Sequence, residues 1–167
     1  MSKRIGDRLP DEIVRFFDGK DLEAKVGPAH LLVTADEDGV PRPCMLSAGE
    51  ILVPNDRSIR VALWPESRTT KNLASGGTAL FCYVAPGSVL YVRATPRSLS
   101  SSEETRMRHF ELRVESVESD LHKGMPVTEG LMFAVESMDP ATVVESWEKQ
   151  LVGLREARVS DSSEATR

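Results

Sequence analysis

The chain has little cysteine, few aromatics and no surplus of positive charge, and each scarcity narrows what it does. Cys44 and Cys82 are the only cysteines in 167 residues, and they do not form a CxxC pair. A disulfide-stapled scaffold or a cysteine metal centre therefore has no support in spacing. Each cysteine sits inside an apolar run and reads as a small buried hydrophobe. His30, His109 and His122 are scattered, without the HxxxH or HExxH spacing of a zinc site. Asp plus Glu outnumber Lys plus Arg by 26 to 21, for a net charge of -5, and no Lys/Arg-rich block occurs. Neither a nucleic-acid footprint nor binding to an anionic membrane is expected. No apolar run approaches the roughly 18 residues of a membrane span, and the first seven residues lack the apolar core of a signal peptide. A cytoplasmic protein is the expectation. GxGxxG, βαβ alternation, internal repeats and a GxSxG context for Ser47 or Ser88 are all missing.

What is present is an ordinary globular balance of 40% apolar and 28% charged residues. That length fits one domain, expected over residues 1–158, with 159–167 a polar, disordered tail. Residues 9–17 predict a short amphipathic helix with Pro10 near its start. Strands are expected at 30–35 and 42–47, joined by the turn Asp36-Glu37-Asp38-Gly39, and again at 50–53, 58–64, 78–84 and 89–95. Residues 67–75 read as a short helix closed by Gly76-Gly77. Met107, Phe110, Val114, Val117 and Leu121 recur at spacings of three and four, which predicts a long helix over 100–122. Ser100/Glu103 and Ser101/Glu104 have capping-box spacing at its start, and His109 and His122 fall on its polar side and end. A strand over 131–136 and a last helix from Asp139-Pro140 follow, the helix burying Val143, Val144, Trp147, Leu151 and Leu154. Strands clustered in this way favour a mainly β, α+β architecture: an antiparallel β-barrel with helices around it.

The segment richest in chemistry runs from Trp64 to Leu73. It follows a strand and opens a helix, where unpaired N–H groups and partial positive charge attract anions. Arg68 and Lys71 bring two cations to that start, and Ser67, Thr69 and Thr70 bring hydroxyls. The same residues also suit a capped surface helix with solvated charges. Trp64 suits packing at a strand end as well as stacking on a ligand.

Ser67 to Leu73, then Gly76-Gly77, then the strand Ala79-Leu80-Phe81-Cys82-Tyr83, resembles the FMN-phosphate segment of the pyridoxamine 5′-phosphate oxidase-like family. Upstream, Leu32 to Pro43 resembles that family's opening hairpin: apolar strand, Thr, acidic turn, Gly, then Pro. The resemblance spans about the first hundred residues, the scale of one domain. It implies a six-stranded antiparallel split β-barrel that binds FMN at the interface of a homodimer. Carried over by position, Arg68 and Lys71 pair with the phosphate, Ser67 and Thr69 are hydroxyl donors, and Asn72 stands near the flavin. Arg42, Met45 and Ser47 of one strand, with Leu63 and Trp64 at the end of another, lie along the isoalloxazine edge.

The implied function is an FMN-dependent oxidoreductase of unknown substrate, with no catalytic acid–base pair visible. The alternatives are a non-enzymatic module of the same fold that binds FMN or haem, with His122 the haem candidate, and a relative that uses a deazaflavin. The C-terminal Trp147 lacks the Arg- and Pro-containing motif of pyridoxamine phosphate oxidases proper, so vitamin B6 synthesis is not implied.

Overall fold

Alternation of apolar and polar residues, with turn residues every few positions, builds a single curled sheet. The computed structural model describes residues 2–101, 104–134 and 138–160. In chain order the elements are β1 (Lys3–Gly6), α1 (Asp11–Phe16), β2 (Pro28–Ala35), β3 (Pro41–Leu46), β4 (Ile51–Asn55), β5 (Ser58–Leu63), α2 (Arg68–Ala74), β6 (Ala79–Ala85), β7 (Ser88–Ser98), β8 (Arg108–Ser119), β9 (Leu131–Met132) and α3 (Pro140–Glu156). All pairings are antiparallel, in the order β3-β2-β6-β7-β8-β5-β4, with β1 added to β8 and β9 to β2. The sheet curls on itself: Leu46 of β3 and Ile51 and Val53 of β4, from opposite edges, share one core with Leu32, Phe81, Val92 and Phe110. Leu9, Ile13 and Phe17, in and beside α1, join that core. No helix of the described residues is long and apolar enough to cross a membrane.

The β2–β3 hairpin follows its sequence closely. Asp36 N–H donates to Val40 C=O at 3.0 Å, and Gly39 takes φ +81, a left-handed conformation that glycine adopts without a Cβ penalty. Pro41 and Pro43 are tolerated because β3 is an edge strand, where a missing N–H breaks no ladder.

A second, smaller core forms where α3 docks. Trp147, Leu151 and Leu154 pack with Leu22, Ala48, Leu52, Ala62 and Met107. Asp139 caps the start of α3 by accepting from the Ala141 and Thr142 amides. Gly49 is pressed against the Trp147 ring so closely that a Cβ would fall 2.0 Å from it. At the other end of α3, Arg60 Nη1 donates to the Leu154 carbonyl at 2.7 Å and reaches those of Arg155 and Ala157 at 3.3 Å. A cation there satisfies terminal carbonyls and complements the helix dipole.

The structure overturns the long helix expected over 100–122. Residues 108–119 are β8, paired on both sides by β7 and β5. The reason is a bulge. From Phe110 to Val114 the apolar residues alternate with period two, and Leu112 belongs to that series. The register then shifts: Ala94 pairs with Val114 and Arg93 with Ser116, leaving Glu115 as an extra residue. The bulge resets the inward face, so Val114 and Val117 both pack against the core at a spacing of three. In sequence that spacing imitates a helix. His109 is accordingly buried within β8 rather than set on a polar face, and Leu121 is exposed. With β8 counted, the continuous path holds seven strands against the six expected. Lys3–Gly6 is a further strand that sequence patterning left unassigned. Of the strand expected over 131–136, Leu131–Met132 is formed, while 135 and 136 lie outside the described residues, as do Glu103 of the expected capping box and residues 161–167 of the tail.

Candidate functional site

The turn after β2, the strand β3 and the start of α2 converge on one shallow depression of about 420 Å³. Asp36, Arg42, Arg68, Lys71 and Asn72 line it, with Glu37 and Asp38 at its rim. Asp36 is its organising residue. Its Oδ2 accepts from Arg42 Nε at 2.5 Å and from Arg68 Nη1 at 3.0 Å, and its Oδ1 accepts from Asn72 Nδ2 at 3.1 Å. The Arg42, Asn72 and Arg68 donors hold the Asp36 carboxyl below the usual carboxylate range, Arg42 contributing most. Asn72 is buried, and its amide also donates to Thr34 Oγ1 at 3.0 Å. Both side chains of that pair are buried, so the bond fixes the spacing between β2 and α2.

The local sequence explains the placement. Ser67 is the N-cap of α2: its Oγ accepts the Thr70 amide at 3.1 Å and donates to Thr70 Oγ1, which in turn donates to the Trp64 carbonyl at 2.7 Å. Helical periodicity then puts Arg68, Lys71 and Asn72 on the side facing the hairpin turn. Thr69 points elsewhere, buried beside Cys44.

Arg42, Arg68, Lys71 and Asn72 are thus brought together. The other residues expected at the site are distributed around it. Ser67 is engaged in the cap. Ser47 donates through both its amide and its hydroxyl to Glu50 Oε2, at 2.8 and 2.9 Å. Burial raises the Glu50 carboxyl pKa, and the Ser47 bonds oppose that rise. Leu63 is buried in the main core. Trp64 is 66% exposed and Met45 55% exposed. Strand alternation places Met45 on the opposite face of β3 from Arg42 and Cys44. His122 does not line the depression. Sequence reasoning missed Thr34 and Asp36 as site residues. The signal available was the position of Asp36 at the mouth of a hairpin, one residue beyond the strand that pairs with Arg42.

The outer face of the β3–β2–β6 half of the sheet is apolar. Paired residues share a face, so Met45, Leu31 and Cys82 form one row across it, and Pro43, Val33 and Leu80 the next.

No family model matches the chain. Over 150 residues it is 34% identical to the uncharacterized protein YclD of Bacillus subtilis, covering 88% of this chain and 96% of YclD. Among solved structures, a presumed pyridoxamine 5′-phosphate oxidase from Lactobacillus delbrueckii superposes with a TM-score of 0.55 at 17% identity, over 69% of this chain and 98% of its own. Group A Streptococcus HupZ superposes with a TM-score of 0.51 at 11% identity, over 75% of this chain and 99% of its own. At such identities these two structures speak to the fold.

Proposed function

The chain belongs to the family of Bacillus subtilis YclD and shares the fold of the pyridoxamine 5′-phosphate oxidase-like split barrels, and on that premise we propose that it is an FMN-binding flavoprotein acting as an oxidoreductase. The observation that carries this reading is the meeting of Arg42, Arg68 and Lys71 at one depression beside α2. Two guanidiniums and an ammonium are the donor chemistry a phosphate group takes. The six ionisable residues lining the depression sum to zero charge, because three carboxylates balance three cations. A phosphate there takes Arg42 and Arg68 in exchange for Asp36, while Asn72 keeps hold of the Asp36 carboxylate. Ser47, fixed by Glu50, follows β3, and the exposed Trp64 precedes α2. When bound, FMN supplies the redox chemistry, and the protein supplies binding, orientation and electrostatics.

The outer face of β3, β2 and β6, apolar and exposed at Met45 and Leu80, supports a twofold homodimer in which a second copy covers that face. The same site also suits a flavin carrier. Steady oxidation of NAD(P)H by the yellow protein separates an enzyme from a carrier.

The decisive test is titration with FMN and riboflavin. FMN is expected to bind far more tightly. Arg68→Ala with Lys71→Ala is expected to weaken FMN by about 3 kcal/mol while leaving riboflavin little changed. Equal affinity for the two flavins in the unmodified protein would overturn the phosphate site.

A further inference from the structure

A second cavity lies at the other end of β2. It has a volume of about 400 Å³ and sits between Phe16 of α1, the start of β2, the β6–β7 hairpin and the segment Glu129–Met132. Its walls are mainly apolar, with Phe16, Tyr83, Val84 and Leu131 prominent, and His30 lines it too.

His30 is the unexplained group. Its side chain is buried at 2% exposure, and neither ring nitrogen has a hydrogen-bond partner among the described residues. Its ring packing is complete. Tyr83 stacks on it at 5.6 Å with planes 2° apart, and Phe16 and Phe17 meet it edge to face at 5.3 and 4.8 Å. Aromatic contact accounts for the body of the imidazole but leaves both nitrogens without partners. Buried polar groups in folded proteins are rarely left in that state. Burial also pushes the His30 pKa down to about 4. At neutral pH the ring is therefore uncharged, with one N–H donor and one bare nitrogen acceptor.

The outer wall is formed by main chain as much as by side chains. Gly130 approaches Val84 so closely that a Cβ would fall 2.3 Å from the Val84 carbonyl oxygen. Leu131 and Met132 pair with Ala29 and Pro28, and the Phe133 amide donates to Gly27 at 2.7 Å. The wall is thus closed onto the sheet, and His30 belongs to the lining of the cavity between them.

We infer that this cavity binds a small, uncharged aromatic molecule bearing one hydrogen-bonding heteroatom, with its ring between Phe16, Tyr83 and Leu131 and its heteroatom on His30. A charged molecule would lose its hydration to apolar walls without a counter-charge beyond Glu129 at the lining. An aromatic hydrocarbon would leave the imidazole unsatisfied. The inference is independent of the flavin reading, because His30 and Asp36 lie six residues apart on one extended segment, about 20 Å.

Phenol and toluene test it, being nearly the same shape and differing in the hydroxyl. The full chain is titrated with each while the His30 and Tyr83 ring resonances are followed by NMR. Saturable shifts of both residues with phenol are expected. His30→Phe keeps a ring in place and is expected to lower the phenol-to-toluene affinity ratio about tenfold. Met132→Trp, at an exposed lining position, is expected to weaken both probes at least tenfold and leave FMN titration unchanged. The absence of saturable shifts up to the solubility limit overturns the inference. So does an affinity ratio indifferent to His30→Phe, or unimpaired binding to Met132→Trp, which decides alone if His30→Phe does not fold.

Discussion

His30 and Thr34 point to the same side of one strand, four residues apart, and the protein treats them in opposite ways. Both are buried. Thr34 sits in a network: Asn72 donates to it and to Asp36, and Asp36 holds Arg42 and Arg68. His30 sits in a cage of rings and is kept neutral. The two ends of β2 show two solutions to one problem, the cost of taking a polar group out of water. One satisfies its hydrogen bonds; the other removes its charge and surrounds it with aromatic carbon.

The largest effect expected from breaking this contrast is at the cage. Phe81 is fully buried and approaches both Phe17 and His30. Phe81→Ala is expected to cost about 3–5 kcal/mol in urea unfolding. A loss under 1 kcal/mol would mean that the cage is loosely packed.

Acid should come next. An unfolded His30 takes a proton near pH 6.5, whereas the folded one resists until about pH 4. Across that window the unfolded state binds the extra proton, so stability falls as pH falls, by about 3 kcal/mol in total. Above pH 6.5 both states are neutral and His30 contributes no slope. His30→Phe is expected to remove this part of the pH dependence. An unchanged acid limb in the variant would show that the folded imidazole already takes up its proton near pH 6.5.

At the polar end the changes are smaller. Thr34→Val removes the acceptor of one Asn72 bond and is expected to cost about 1 kcal/mol, with no new pH dependence between 4 and 6.5. Smallest of all is Asp36→Asn. It should lower the melting temperature slightly, because an amide accepts at one oxygen where the carboxylate accepted at two, and tighten FMN a few-fold, because Arg42 and Arg68 no longer face a competing carboxylate. Weaker FMN binding in that variant would instead make Asp36 a positioner of the two arginines.

Most elements were legible because their signals are local. The turn with Gly39, the cap at Ser67 and the Asp139-Pro140 start of α3 each act within three or four residues, and each stands where its residues predict. β8 was not legible, since a bulge at Glu115 is a property of a strand pair and a single sequence does not show the partner. The candidate site was half legible. Arg68, Lys71 and Asn72 announce themselves by type and spacing, and Arg42 follows from the hairpin. Asp36 reads as an ordinary turn residue until the fold sets it between two guanidiniums. Thr69 shows the converse: a hydroxyl in the right segment that helical phase turns inward to Cys44.

The docking of α3 carries a consequence for folding order. The Arg60 bond to Leu154 joins residues 94 positions apart, and the Gly49 contact with Trp147 spans a similar stretch of chain. Closing so long a loop carries an entropic cost before any packing rewards it. The hairpins of the sheet close over a few residues and have no such delay. The last helix should therefore settle after the hairpins are already formed, so that truncating Trp147 or replacing Gly49 with Ala speeds unfolding and hardly slows refolding. In a chevron plot the unfolding limb moves and the refolding limb stays, which would make α3 the element that sets how long the native state lasts.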